Sequence, residues 1–335
     1  MTRQRVLPGA NPATYLRHVL HADDRVWVEK NCYVDIFIEV IHALGLEPLA
    51  AMGFCAAVDF EGDCFTFFKP PHDELRELYG LDVQELNVWR PLVEHAAHHL
   101  GAGKLISTEA DAFHLPDAAG TDYRRNHVKT TIILADLDVD GRSLGYFHNA
   151  GYFELQGEDF DHVFRIGAAR DLEFLPLFAE LLRVDRLKHR SVEELALVAR
   201  GLLAKHVERR PAVNPVLRFQ HAFGEELATI QERGLDFYHA WAFATVRQLG
   251  AAFELLAFHL RWLAHTGAGD GLESAATDFD HVSAGAKTFI LKAARAVHSG
   301  KALDATTTFG EMSGAWDRGM TRLADELARV PARSQ

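Results

Sequence analysis

The chain has 335 residues, of which 48% are hydrophobic and 24% charged, the balance of a folded protein long enough for about two domains. Its formal net charge of −12 argues against a nucleic-acid partner, because such binding needs a basic surface. The three cysteines, Cys32, Cys55 and Cys64, are too few for a disulfide framework and include no CxxC pair. They favour a reducing, cytoplasmic location and argue against a zinc ribbon. No apolar stretch approaches the ~20 residues of a membrane span, so we expect no membrane partner.

The first 165 residues predict a domain that mixes helices and strands. Cys32 begins a helix with apolar residues at i, i+3, i+4 and i+7 spacing, and Gly45 ends it. Further helices are predicted over 72–79 and 92–100. Strands are predicted over 54–60, 64–69, 104–109, 128–136 and 143–149. The last two strands form a hairpin, because Asp140-Gly141 is a strong turn signal between them.

The second half has apolar residues at helical spacing throughout and no alternating strand pattern. Helices are predicted over 172–187, 192–207, 215–232, 235–263, 275–297 and 315–330. We therefore predict an α+β domain over residues 1–165 and an all-α helical domain over residues 166–335.

Cys32 is the cysteine that stands at a predicted helix start. The free N–H groups and the positive dipole end there favour a thiolate, and the cysteine N–H can meet a developing oxyanion. Asp35 in the same turn would raise the thiol pKa unless its carboxylate points away. The alternative is that Cys32 is a small buried residue of the core.

A thiolate nucleophile needs a base, and the base needs a group that orients it. His127 stands at the entry of the strand 128–136, where its side chain could face a cleft. The return strand of the hairpin ends at His148-Asn149, and register decides which of the two shares a face with His127. A strict two-residue turn favours His148, whereas a bulge at Gly141 favours Asn149.

The order of these features resembles the papain-like fold of the bacteriocin-processing cysteine peptidases. The first 160 residues are similar to the N-terminal domain of the butirosin-type acyltransferases, which move an acyl group from a carrier-protein thioester to an amine and also carry a helical C-terminal domain. Four further segments are informative: Asn31 to Asp35, Tyr79 to Leu86, Tyr123 to Thr131 and Gly145 to Tyr152. Through them, nearly the whole chain resembles an uncharacterised bacterial family whose genes often neighbour amino-acid:carrier-protein ligases.

The resemblance implies a papain-like domain followed by the helical domain, with Cys32 as nucleophile, His127 as base and Asn149 as the residue that orients the base. His148 stays the alternative to Asn149. The peptidases place an oxyanion-donating glutamine about six residues before the cysteine, and here that region is Arg25-Val26-Trp27, which leaves Asn31 as the candidate donor.

We expect a cysteine-dependent aminoacyl or peptidyl transferase that uses an aminoacyl carrier protein and a small amine acceptor. It would need no resident cofactor and no metal, because the carrier brings its own phosphopantetheine arm. Arg124 and Arg125 are candidates to meet the phosphopantetheine phosphate. The alternatives are a cysteine peptidase or amidase with the same residues, or a papain-like binding protein without catalysis.

Overall fold

The computed structural model describes residues 3–167, 177–267, 269 and 271–329. The chain forms two compact units, each assembled from three separate stretches. The first unit comprises Met1–Ala22, Cys32–Pro48 and His72–His189; the second comprises Asp23–Asn31, Leu49–Pro71 and Arg190–Gln335. The domain boundary predicted after residue 165 falls inside the third stretch of the first unit.

The first unit is built on a seven-stranded sheet in which every pair of neighbouring strands is antiparallel. The strands are β1 Gln4–Arg5, β2 Asp82–Glu85, β3 Leu105–Asp111, β4 Lys129–Asp138, β5 Ser143–His148, β6 Gly151–Gln156 and β7 Ala179–Arg183. Their order is β2-β7-β3-β4-β5-β6, with β1 paired to the far end of β4. This sheet confirms a mixed α+β unit and the predicted hairpin between β4 and β5.

Helices cover the two faces of this sheet: α1 Cys32–Ala43, α2 His72–Tyr79, α3 Leu92–Gly101 and α4 Glu158–Phe164. One face packs α3 and α4 over the side chains of Ile106, Leu134 and Tyr146. α1 lies against β4, β5 and β6. Its Tyr33 hydroxyl bonds Glu180 of β7, whose neighbours Ala179 and Leu181 belong to the core under α3. Since successive strand residues face opposite ways, α1 covers the other face.

α1 follows from its sequence as predicted. The residues from Tyr33 to Ile41 are all buried, so this part of α1 is enclosed on every side and not only along its apolar stripe. At its end Gly45 has φ +73°, a conformation that glycine adopts at no steric cost. The Gly45 N–H donates to the His42 carbonyl and the Leu46 N–H donates to the Ile41 carbonyl, a Schellman motif that satisfies the last carbonyls.

Two predictions of local structure are wrong. The stretch predicted as strands over 54–60 and 64–69 contains a 3₁₀ segment, Pro48–Ala57, and a single bridge between Phe60 and Phe65. The helix predicted over 172–187 is contradicted by β7, while its residues 172–176 lie outside the described residues. β7 lies between β2 and β3, and its first four residues, Glu180 included, are all buried, so it lacks the polar–apolar alternation of a half-exposed strand.

The long elements of the second unit are helical: α5 Val192–Glu208, α6 Pro215–Ala244, α7 Val246–His265, α8 Leu272–Ser299 and α9 Thr306–Arg329. Helices predicted over 192–207, 215–232, 275–297 and 315–330 are confirmed within the described residues, and residue 330 lies outside them. The helix predicted over 235–263 is interrupted at Thr245, where α6 ends and α7 begins. Ser191 and Glu194 form a capping box that starts α5. α6 is kinked at Gly234, where φ is +80° and ψ −170°.

Candidate active site

Cys32 is a free thiol at the first residue of α1 and is partly exposed, whereas the residues that follow it are buried. The aligned peptide dipoles of a helix leave a partial positive charge at its start, and Cys32 stands at that end of α1. Asp35 is engaged elsewhere: its Oδ1 lies 3.0 Å from Nε2 of His21, whose Nδ1 contacts Glu39. The acidic side chain in the first turn is therefore held by a buried imidazole.

The other two cysteines have less reactive surroundings. Cys55 is completely buried, and burial raises the pKa of its thiol well above the ordinary value. Partial burial and the neighbouring carboxylate of Asp63 raise the pKa of Cys64. Both effects oppose thiolate formation, which leaves Cys32 as the thiol best placed for nucleophilic chemistry.

His127 is paired with a carboxylate that the sequence did not single out as its partner. Its Nδ1 lies 2.6 Å from Oδ2 of Asp111 at the end of β3, and its ring stacks on Phe113 with centroids 4.4 Å apart. Burial acts to raise the pKa of Asp111, but hydrogen bonds from His127 and the Phe113 N–H bring it below the ordinary value. An ionised carboxylate only accepts, so Nδ1 carries the proton and Nε2 is the basic nitrogen. The His127 side chain is 71% exposed.

His148 and Asn149, the two candidates for orienting His127, have other roles. His148 pairs with Ile132, since the β4–β5 ladder shifts register between Leu134 and Asp136 and not at Gly141. Its Nδ1 lies 2.5 Å from Oδ2 of Asp117 and its Nε2 lies 2.8 Å from the Thr130 hydroxyl. Asn149 begins the two-residue turn between β5 and β6, with φ +43°.

The face of the sheet also separates His148 from α1. His148 has the same strand parity as Tyr146, which lies in the core under α3 and donates a hydrogen bond to Asp117. α1 covers the opposite face. Asp111, which neither alternative anticipated, is thus the residue that holds His127.

Among the described residues, no hydrogen bond, ion pair or ring contact joins His127 to the first turn of α1. Tyr33, the second residue of that helix, touches Glu180, which is in register with Ser107 of β3. Ser107 is in register with Ile133 of β4. His127 lies six residues before Ile133, which is about 20 Å along an extended chain.

A different histidine contacts the side chain of Tyr33 in α1. His72, the first residue of α2, places its Nε2 2.7 Å from the Tyr33 hydroxyl and 3.5 Å from Oε1 of Glu180. The Tyr33 hydroxyl lies 2.9 Å from Oε2 of Glu180. Sequence reasoning missed this cluster, because Glu180 joins it only through β7, a strand that was predicted as helix. Pro70 and Pro71 indicated that a helix starts at His72, but they did not indicate a catalytic or binding role for that residue.

Two domain profiles of one family match most of the chain. The DUF1839 N-terminal domain matches residues 16–184, and the DUF1839 C-terminal domain matches residues 192–325. The chain belongs to the DUF1839 family. These matches bear out the predicted kinship with an uncharacterised family. Among functionally curated proteins, none matches the chain.

Neighbouring residues hold two of the three remaining predicted site residues, Asn31 and Arg124. Asn31 is buried, and its Nδ2 donates to the Phe68 carbonyl at 3.0 Å. Arg124 places a guanidinium nitrogen 2.6 Å from Oδ1 of the buried Asp159. Arg125 is exposed. Of the two arginines, Arg125 is therefore the one more open to a phosphate.

In the described part of the chain, no group of three or more His, Cys, Asp and Glu side chains is placed to hold a metal ion. Within the same residues, no helix combines the length and the apolar character needed to cross a bilayer.

Proposed function

We propose that this chain is a cysteine-dependent acyltransferase, in which Cys32 accepts an aminoacyl or peptidyl group from a carrier-protein thioester and passes it to a small amine. The observation that carries the proposal is the placement of Cys32. A partly exposed thiol begins a helix that is otherwise buried and that lies against an antiparallel sheet. A papain-like relationship, in which a helix-leading cysteine packs on such a sheet, agrees with this arrangement.

The chemistry suits a thiolate. Its sulfur attacks the thioester carbonyl, a new S–C bond forms, and the S–C bond to the carrier breaks. The leaving group is itself a thiol of similar pKa, so little acid assistance is needed. The amine nitrogen then attacks the acyl-enzyme, loses a proton to a base, and releases the Cys32 thiolate.

The proposed partners follow from this chemistry. The acyl donor arrives on the phosphopantetheine arm of a carrier protein, so the enzyme needs no resident cofactor. Arg125, and Arg124 if it leaves Asp159, are the proposed contacts for the phosphate of that arm. Free cysteines Cys32, Cys55 and Cys64 agree with a reducing location such as the cytoplasm.

The test is to incubate the protein with an aminoacylated carrier protein and to measure intact mass. We expect an adduct of the acyl mass that hydroxylamine removes. Cys32→Ser should abolish this thioester, whereas the matched control Cys64→Ser should retain it. An adduct that survives in Cys32→Ser, or no adduct in the unaltered protein, would overturn the proposal.

The same assay separates the alternative functions. Release of the acyl group by water alone, with no effect of added amines, would point to a peptidase or amidase. A protein that forms no adduct and whose Cys32 reacts with iodoacetamide at pH 6 no faster than an ordinary thiol would be a binding protein.

A further inference from the structure

Three titratable side chains that the proposed chemistry does not use meet inside the first unit. His21 ends a short 3₁₀ turn, Val19–His21, while Asp35 and Glu39 stand one helical turn apart on α1. All three residues are 0% exposed. Nε2 of His21 lies 3.0 Å from Oδ1 of Asp35, and its Nδ1 contacts Oε1 of Glu39. Each nitrogen of the ring therefore faces a carboxylate oxygen.

This arrangement of His21 needs two protons on its ring. A neutral imidazole has one N–H donor and one lone pair, whereas an ionised carboxylate only accepts. A neutral ring would thus press its lone pair against one of the two carboxylates. Imidazole also has a higher reference pKa than Asp or Glu, so the shared proton rests on the ring. The folded protein therefore holds His21 as an imidazolium.

Glu39 is the anchor of the segment that carries His21. Its Oε2 lies 2.7 Å from the Tyr15 hydroxyl, and its Oε1 lies 3.0 Å from the His18 N–H. Burial and the Glu39 carboxylate raise the pKa of Tyr15, so this hydroxyl keeps its proton and donates. Glu39 thus accepts from three residues of segment 15–21, and His21 supplies the positive charge among them.

The other titratable groups of this segment face a different carboxylate or a carbonyl. Nδ1 of His18 accepts from the Leu20 N–H, and its Nε2 lies 3.9 Å from Oε1 of Glu47. The His42 ring lies 5.2 Å from the His18 ring, and its Nε2 lies 3.2 Å from the Leu16 carbonyl. His42 is partly exposed and serves as a control for the titration of His21.

The contact between His21 and Asp35 joins two points where the chain leaves and re-enters the first unit. The chain leaves this unit after Ala22 and returns to it at Cys32. His21 directly precedes the point of departure, and Asp35 lies in the first helical turn after the return. Their hydrogen bond therefore closes the base of the excursion 23–31, next to the start of α1.

We infer that His21, Asp35 and Glu39 form a proton-dependent latch, in which the His21 imidazolium ties segment 15–21 to α1 and loss of its proton to solvent at alkaline pH releases the segment. In the unfolded chain, a histidine loses its proton near pH 6.5. Folded His21 keeps its proton to higher pH. The latch therefore contributes fully below pH 6.5, and its contribution is lost as the pH rises through the titration of folded His21.

The direct test is the protonation of the His21 ring in the unaltered, ¹⁵N-labelled protein. At pH 8 an ordinary histidine is neutral. We expect NMR to show both ring nitrogens of His21 protonated at this pH, whereas the His42 ring should carry one proton. The signal that disappears in His21→Gln assigns the ring. A His21 ring with a single protonated nitrogen at pH 8 would overturn the latch, and this measurement needs no variant that folds.

The energetic test is urea unfolding between pH 7.5 and 8.5. Folding takes up close to one proton at His21 over this interval. The unfolding constant of the unaltered protein should therefore rise about tenfold per pH unit relative to that of His21→Gln, which does not titrate. His42→Gln should follow the unaltered protein. The same pH dependence in all three proteins would contradict the uptake of a proton by His21.

Release of the segment has its own readout in amide exchange. The His18 N–H donates to Glu39, whereas the Leu44 N–H donates to the Val40 carbonyl at the end of α1. Between pH 7 and pH 9 the protection factor of the His18 amide should fall, while that of the Leu44 amide should hold. A constant factor at His18, or an equal fall at both amides, would show that segment 15–21 does not open as a latch.

Discussion

The Tyr33 hydroxyl lies 2.9 Å from Oε2 of Glu180, although the two residues are 147 positions apart in the chain. Both side chains are buried. This hydrogen bond joins the first turn of α1 to β7 of the sheet, so it has a structural role whatever chemistry the neighbouring Cys32 performs.

Tyr33→Phe should lower the free energy of unfolding by about 1–3 kcal/mol, because it leaves the buried Glu180 carboxylate without its hydroxyl donor. Tyr152→Phe is the matched control. Tyr152 is also buried, but its hydroxyl makes no hydrogen bond to the described residues. Urea unfolding of the two variants measures the difference, and equal losses would show that the bond to Glu180 adds nothing.

His259 should make the protein sensitive to acid. It is completely buried in α7 with its Nδ1 2.7 Å from the Leu49 carbonyl, and burial lowers its pKa from 6.5 to about 4. The unfolded chain binds a proton below about pH 6.5, whereas folded His259 does so only near pH 4. The stability that neutral His259 contributes is therefore fully present above pH 6.5 and is lost as the pH falls towards 4. The free energy of unfolding should drop by on the order of 3 kcal/mol over that range.

The measurement is urea unfolding at pH 7.5 and 4.5. His259→Gln keeps a donor for Leu49 but does not titrate, so it should lose on the order of 3 kcal/mol less than the unaltered protein over this interval. His221→Gln, at an exposed position of α6, should follow the unaltered protein. If all three proteins lost the same free energy of unfolding between pH 7.5 and 4.5, His259 would be ruled out as the source of the acid sensitivity.

Local signals explain which parts of the fold were predictable. α1 has both an apolar stripe and a glycine at its end, and each signal lies within a few residues of the structure that it specifies. β7 has no such signal. Its strand conformation comes from pairing with β2 and β3, and a short segment without polar–apolar alternation does not distinguish a buried strand from a buried helix.

In the candidate site as well, features set by adjacent residues were predictable and features set by distant strand pairing were not. The place of Cys32 at a helix start depends on adjacent residues and was predictable. The pairing of His127 with Asp111 depends on the β3–β4 register, which sets Lys129 opposite Asp111. A hydrophobic pattern restricts that register but does not name the polar partner at the strand ends.

Arg124→Ala should cost about 1–2 kcal/mol of stability. Its guanidinium is 2.6 Å from the Asp159 carboxylate, which is only 10% exposed and also accepts from Tyr123. Removing Arg124 takes one of two donors from a buried charge. Arg125→Ala, at the next and exposed position, should change stability by less than about 0.5 kcal/mol. Thermal or urea unfolding that ranks the two variants equally would contradict a structural role for Arg124.

Gly80→Ala should be among the most damaging small substitutions in the first unit. Gly80 has φ +70°, and a Cβ placed there would lie 2.0 Å from the Arg186 carbonyl oxygen. Gly103 is the matched control, because it has φ +73° but open space around it. Gly103→Ala should therefore cost only the strain of a left-handed residue, about 1–2 kcal/mol. Gly80→Ala adds a backbone clash and should cost at least ~2 kcal/mol more.

Because the Lys188 N–H donates to the Tyr79 carbonyl beside this contact, the loss should appear as faster amide exchange at Lys188 as well as in urea unfolding. Equal stability of the two variants would mean that the 186–188 segment moves aside at little cost.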